Sequence, residues 1–283
     1  LYRHLVIGRA GESRAREPLL VAFAMRWSGL LGEAPRLLFD APDWQRAPVM
    51  RALEGSDVIV PSERFLLIGC SERTSAQTIE RLAEEHLFPA YRSLERVYAV
   101  LLPARRSVMH LDSLLTPIDE RLFLAHMPTM SSQSDAGGHL PVVRLRRGRA
   151  PEIVPGASVA DVLRDELGPD VGLVPCGGAE PLHQEREQWT DGANAFCVGP
   201  GQIIVYGRNV HTLAALEDDF GFGVSRFSPV QGHEERREVL REGLQRPRNV
   251  FTFSGSELSR ARGGLRSLTL PIARGPAPDA PGR

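Results

Sequence analysis

No sign of charge dominates this sequence. Its 34 Lys and Arg stand against 35 Asp and Glu, a formal −1, and the basic residues are scattered. That excludes the electrostatic footprint of a nucleic-acid binder. Long apolar runs are also missing. The longest, such as VYAVLLP (97–103), are strand-sized, which excludes a membrane-spanning helix and a membrane partner. No charged-then-apolar leader follows Leu1. Cysteine is scarce: Cys70, Cys176 and Cys197 are odd in number and sit within or beside apolar runs. They read as reduced core thiols of a cytoplasmic protein, not as a disulfide framework. No His and Cys spacing resembles a zinc pattern, so neither a metal nor a cofactor is expected. No low-complexity linker divides the 283 residues. The chain is therefore read as one domain over 1–283, with 272–283 a flexible tail.

What is present is a repeating order of elements. DVIVPSERFLLIGC (57–70) reads as two strands around a Pro-Ser-Glu turn. TSAQTIERLAEEHLF (74–88) follows with helical spacing of Ile79, Leu82 and Leu87, and Thr74 with Gln77 forms a candidate capping box. RVYAVLLP is then a buried strand. The same strand-strand-helix-strand order returns in HLDSLLTPIDERLFLAHM, a hairpin turning at Pro117–Glu120. A polar, Gly- and Arg-rich stretch comes next, then ASVADVLRDELG, a helix capped by Ser158, and the strand VGLVPCGG. It returns again in GANAFCVGPGQIIVYGRN, VHTLAALEDDFG and GVSRFS. The charged 232–247 stretch reads as an added, solvated helix and linker. HLVIGR, ESRAREPLLVAFAMRW and PRLLFD form one more copy lacking its leading strand, and the segment from Asn249 to Ile272 belongs to no complete unit. About four repeats and an orphan piece result, the kind of chain that closes into a ring or solenoid.

Three polar clusters, EGSD (54–57), MHLD (109–112) and DGAN (191–194), fall at equivalent places in the repeats. On a strand, His110 and Asp112 would point to one face and could form an acid/base pair or grip a cation. On spacing alone a structural His–Asp pair at a strand edge is favoured. Glu54 and Asp57 flank a Gly-Ser turn, where carboxylates usually cap backbone N–H groups; the functional alternative is that Glu54 orients the histidine. Arg14 and Arg73 stand at turns and suit a carboxylate, although surface ion pairs are commoner. His183 and His211 read as isolated surface or loop residues. REQWTDGAN (186–194) reads as a substrate wall or a tight turn before a strand.

Taken in order, EGSDVIV, IGCSERTS, MHLDSLLT, REQWTDGANAF, GPGQIIVYGRN and ELSRARGGLRSLTLPI resemble the arginine deiminase family. That family is part of the guanidino-group-modifying superfamily that also holds the amidinotransferases. The resemblance spans nearly the whole chain. It implies an α/β fold, a five-unit propeller of strand-strand-helix-strand modules, here with an incomplete N-terminal unit. It implies roles as well: His110 as general acid/base, Glu54 as its hydrogen-bond partner, Asp112 as holder of the substrate guanidinium, and Arg14 and Arg73 as a clamp on the α-carboxylate. Arg266 and Gly264, in the loop that carries the nucleophile, join the substrate-binding set. The implied reaction is thiolate attack on the guanidinium carbon, loss of ammonia and hydrolysis to citrulline. The partner is a small guanidino substrate with a free α-carboxylate; a homo-oligomer is compatible with the sequence.

Two departures stand out. GGLRS (263–267) puts Ser267 on an apolar strand, at the position of the family cysteine. An alcohol is much harder to ionise than a thiol, so this chain is expected to bind arginine-like ligands and to turn them over very poorly. Either the cysteine was exchanged in an otherwise intact site, or the chain is a pseudoenzyme; intact His110, Asp112, Glu54, Arg14 and Arg73 favour the first. The second departure is that the chain starts at Leu1, just after the place of a second guanidinium-binding aspartate in the family. Asp112 is therefore expected to lack that partner. An amidinotransferase and a non-catalytic arginine binder are the alternatives.

Overall fold

A computed structural model describes residues 4–7, 16–27, 36–40, 52–131, 139–228, 230–255 and 257–271. Arg14 and the tail from 272 lie outside them. The chain is α/β with several separate sheets, and it divides into two compact units. The first comprises the described residues within Leu1–Leu111, Pro141–Pro155 and Leu270–Pro276; the second, those within Asp112–Leu140 and Gly156–Thr269.

In the first unit, β1 (His4–Ile7), α1 (Glu17–Trp27) and β2 (Arg36–Asp40) form a strand-helix-strand piece whose strands pair in parallel. A second sheet begins with the antiparallel pair β3 (Val58–Ile59) and β4 (Phe65–Cys70). A helical stretch follows, α2 (Ala76–Arg81), one wide π turn (Leu82–Leu87) and α3 (Phe88–Ala90), and the chain returns as β5 (Arg96–Leu101), parallel to β4. Phe65–Ile68 are all buried, as an inner strand covered on both faces requires. The helix cap is Ser75, whose hydroxyl accepts the Thr78 N–H. The expected Thr74 cap is absent because the Thr74 hydroxyl is taken by Asp57 at 2.6 Å.

In the second unit, β6 (Leu115–Asp119) and β7 (Leu122–Ala125) form an antiparallel hairpin. It turns at Glu120–Arg121, later than the sequence suggests. Pro117 lies inside β6, where the pairing register shifts before Asp119; a residue with no N–H to give the ladder is tolerated at such a bulge. α4 (Met127–Met130) follows.

The polar, Gly- and Arg-rich stretch, to which the sequence assigns no element, contains a hairpin of the first unit. β8 (Val142–Arg146) pairs antiparallel with β5, and β9 (Arg149–Ile153) forms the edge. Every residue of β9 is exposed, so it lacks the apolar alternation that marks a strand. Pro151 sits on this edge, where proline is allowed. The strand order is β3-β4-β5-β8-β9.

Back in the second unit, α5 (Val159–Leu167) starts in the expected Ser158 cap, a full capping box with Asp161. β10 (Gly172–Pro175) then lies parallel to β7, giving the order β10-β7-β6. α6 (Pro181–Trp189) leads to the third copy of the rule: β11 (Phe196–Gly199), β12 (Gln202–Tyr206), α7 (Val210–Ala214) with a π turn over Ala215–Asp219, and β13 (Gly223–Arg226). α8 (His233–Leu244) is exposed apart from the buried Gly243 and the half-buried Val239. β14 (Asn249–Phe253) is no orphan. It inserts between β12 and β13, parallel to both.

Each unit has its own core. One cluster gathers Leu53, Leu66, Ile68, Phe88 and Val97; the other gathers Ile118, Leu124, Val174, Val205 and Val250. Among the described residues no helix is long and apolar enough to cross a membrane.

Candidate functional site

Before three of the hairpins the polar turn ends in a buried hydrogen-bonding residue: Asp57 before β3, Asp112 before β6 and Asn194 before β11. Asp57 shows what such a residue does. Its Oδ2 accepts from the Thr74 hydroxyl and, at 3.1 Å, from the Ser71 hydroxyl. Its Oδ1 accepts the Leu111 N–H at 3.0 Å. Thr74 Oγ1 in turn accepts the Glu54 N–H at 3.1 Å. One carboxylate thereby ties together the turn that carries Glu54, the turn that carries Arg73 and the backbone beside His110. Gly69 makes room for it: a Cβ there would stand 2.5 Å from Asp57 Oδ1.

On that scaffold His110 Nε2 lies 2.9 Å from Glu54 Oε2, with Glu54 buried and His110 mostly so. Arg73 Nη1 is 3.8 Å from the other Glu54 oxygen, and a third of its side chain is exposed. The first unit therefore brings together His110, Glu54 and Arg73. A carboxylate hydrogen-bonded to an imidazole nitrogen fixes the orientation of the ring.

Asp112 opens the second unit. His110 and Asp112 do not lie on a strand: residues 109–110 bend and Leu111–Ser113 form a 3-10 turn, so the alternation expected of a strand does not apply. Asp112 is buried. Its main-chain carbonyl accepts from Asn194 Nδ2 at 3.3 Å, and its Oδ2 stands 4.0 Å from Arg266 Nη1. Gly264 is pressed against Asn194; a Cβ there would lie 2.5 Å from Asn194 Oδ1. Ser267 occupies a second 3-10 turn, Leu265–Leu268, with its N–H donated to Gly264 O at 3.1 Å. It is exposed, and no strand carries it, contrary to the reading of an apolar strand there.

Sequence reasoning quoted Asn194, Asp191 and Tyr206 without giving them roles. Asp191 Oδ2 accepts the Gly263 N–H at 3.1 Å, and the Tyr206 hydroxyl donates to Gly263 O at 2.8 Å. The equivalence of EGSD, MHLD and DGAN is the signal that marks Asn194 as the counterpart of Asp57 and Asp112. REQWTDGAN is the last turns of α6 and the bend after it. His183 and His211 are not isolated: their rings stack at 3.6 Å with 7° between planes, in a cavity of about 350 Å³ also lined by Glu180, Asp218 and Asp219.

The three cysteines are free. Cys176 is buried, which pushes its thiol up to about 12. Cys70 is raised, by burial first and by the Asp57 charge second. Both shifts disfavour the thiolate.

A sequence model of the family described as "Arginine deiminase" matches residues 2–274. The chain belongs to the arginine deiminase family. It is 34% identical over 266 residues to the arginine deiminase of Listeria innocua serovar 6a, covering 93% of this chain and 56% of that one. It is 31% identical over 267 residues to that of Bacillus cytotoxicus, with the same two coverages. The chain thus spans about half the length of these relatives. Among solved structures, unliganded AgrE has a TM-score of 0.53 at 15% identity, over 95% of this chain and 29% of that one. SxtG, an amidinotransferase from Microseira wollei in the saxitoxin biosynthetic pathway, has a TM-score of 0.53 at 16% identity, over 98% of this chain and 69% of that one. At such identities the likeness shows a shared fold.

Proposed function

We propose that this arginine deiminase family chain carries the guanidinium-recognising and proton-transferring groups of an arginine-to-citrulline hydrolase, on repeats of a five-unit propeller, and that Ser267 leaves it able to bind but nearly unable to turn over. The observation that carries this reading is the buried Asp112 carboxylate with a guanidinium, that of Arg266, 4.0 Å away. A carboxylate held dry beside a planar cation is chemistry suited to a substrate guanidinium.

In the working form of this chemistry a thiolate at position 267 adds to the guanidinium carbon. Asp112 concentrates positive charge on that carbon. The C–N bond breaks and ammonia leaves with a proton from His110, which Glu54 orients. His110 then takes a proton from water, the hydroxide adds, and the C–S bond breaks to give citrulline and the thiol. Ser267 supplies an alcohol, whose proton a histidine cannot remove readily for attack on so poor an electrophile. Arg73, with Arg14, would hold the α-carboxylate, which selects arginine over agmatine. Free thiols suit a reducing compartment such as the cytoplasm.

Titration calorimetry with arginine is the test. The chain as it stands should bind arginine, and Asp112→Asn should weaken that binding at least tenfold. Ser267→Cys should release ammonia from arginine with citrulline as the product; a guanidino group passed to an added amine would mean transfer instead of hydrolysis. No heat with arginine, or unchanged affinity in Asp112→Asn, overturns the reading.

A further inference from the structure

Among the described residues only two non-glycine positions have positive φ, Asp191 at 57° and Arg262 at 67°. They are partners. Arg262 Nη1 lies 3.4 Å from Asp191 Oδ1, with the side chains 3% and 1% exposed. Aspartate tolerates the left-handed region, but an arginine at φ 67°, ψ 145° sits where residues with a Cβ rarely go. Two glycines, Gly263 and Gly264, follow directly and could take the turn without strain. The strained arginine is therefore kept in place by what its side chain reaches.

It reaches the end of α6. The same Nη1 donates to Gln188 O at 3.2 Å and to Trp189 O, and the guanidinium lies 5.5 Å over the Trp189 ring. Cations belong at the C-terminal end of a helix. Asp191, just past that end, closes the other side by accepting the Gly263 N–H. Tyr206 donates to the Gly263 carbonyl. Gly263 is thus held at both backbone groups, four residues before Ser267 in a loop whose next member, Gly264, is seated on Asn194.

The geometry points to Asp191 and Arg262 as a positioning clamp. The pair sets the register of the 263–267 loop, and with it the aim and the ionisation environment of the side chain at 267. This rests on the reading above, in which position 267 is the nucleophile's. Asp191 and Arg262 are positioning residues; neither is assigned contact with the reacting carbon.

The test follows alkylation at position 267 by iodoacetamide in the Ser267→Cys chain, by peptide mass spectrometry, between about pH 6 and pH 9. Asp191→Asn keeps an acceptor and a residue that tolerates positive φ. Arg262→Gln removes the cation. Each should change the rate about tenfold and move the pH midpoint toward that of an ordinary thiol. The double variant should be no worse than either single one, and Arg262→Lys should recover part of the loss. Hydrogen exchange at the Gly263 amide, in the chain as it stands and in Arg262→Lys, gives a second measure that does not need Asp191→Asn to fold. Faster exchange in the variant supports the clamp. Rates and midpoints within twofold of the parent, with only the melting temperature lowered, would reduce the pair to a structural one and sink the proposal. Whether arginine slows the alkylation is a separate result: its failure counts against arginine binding and leaves the comparison of variants standing.

Discussion

His126 is the residue whose protonation the fold opposes most plainly. It precedes α4, almost wholly buried, with Nδ1 at 3.2 Å from the Thr129 hydroxyl. Burial pushes its pKa down to about 4. Glu185 is 3.7 Å from Nε2 and would favour the cation, but that carboxylate is largely in solvent, so its charge is screened and burial prevails. An unfolded histidine titrates near 6.5. Below that value the unfolded chain binds a proton that the folded chain refuses until about pH 4. The contribution is therefore fully present above about pH 6.5 and is lost as pH falls toward 4. A shift of this size corresponds to about 3 kcal/mol over the whole window. Urea unfolding at several pH values should show this slope, and His126→Gln should flatten it. An unchanged slope in the variant would mean that other groups produce the acid sensitivity.

At the scale of elements, the start of α7 is held by a side chain from another helix. α7 has five residues, too few to be stable alone, and the Asn209 side chain does not cap it. Glu187, on α6, does so from a distance. Its carboxylate accepts the His211 N–H at 2.8 Å, and the Thr212 N–H and hydroxyl at 2.8 and 2.6 Å. Glu187→Ala should cost about 2–4 kcal/mol, since buried donors are left without a partner, with exchange of the α7 amides accelerated first. Loss spread evenly over the second unit would instead mean that α7 has no separate stability to lose. This dependence also marks the limit of what the sequence discloses. Ser158 and Asp161 lie three apart, so their capping box is legible; Glu187 and Thr212 meet only after folding. The three hairpin-helix-strand copies were legible because their apolar spacing repeats. β9 was not, since an edge strand with no buried face carries no such spacing. Nor was α6, whose buried face includes the polar Gln184, Glu187 and Gln188. The candidate site divides in the same way: its residue types could be read from the motifs, but not the Asp57 network that ties the turns of Glu54 and Arg73 to the backbone beside His110, nor the 3-10 turn over Leu111–Ser113.

At the scale of the molecule, one arrangement is used three times among the described residues. A polar turn closes on a buried Asp57, Asp112 or Asn194, a hairpin starts, and a helix returns the chain to a parallel strand. Among the described residues, the cluster around Leu66 draws all its members from the first unit and the cluster around Leu124 draws all its members from the second. Leu66 belongs to the first cluster and Leu124 to the second, both buried on inner strands. Truncating a buried leucine to alanine typically costs about 2–5 kcal/mol. If each core stabilises its own unit, Leu66→Ala should lower hydrogen-exchange protection in β3, β4, β5 and β8 and leave β7, β12 and β14 protected. Leu124→Ala should do the reverse. Equal loss throughout the chain in both variants would instead show one cooperative transition. The separation would then belong to the contact pattern alone, and the His110–Glu54 pair would share its stability with the loop that carries Ser267.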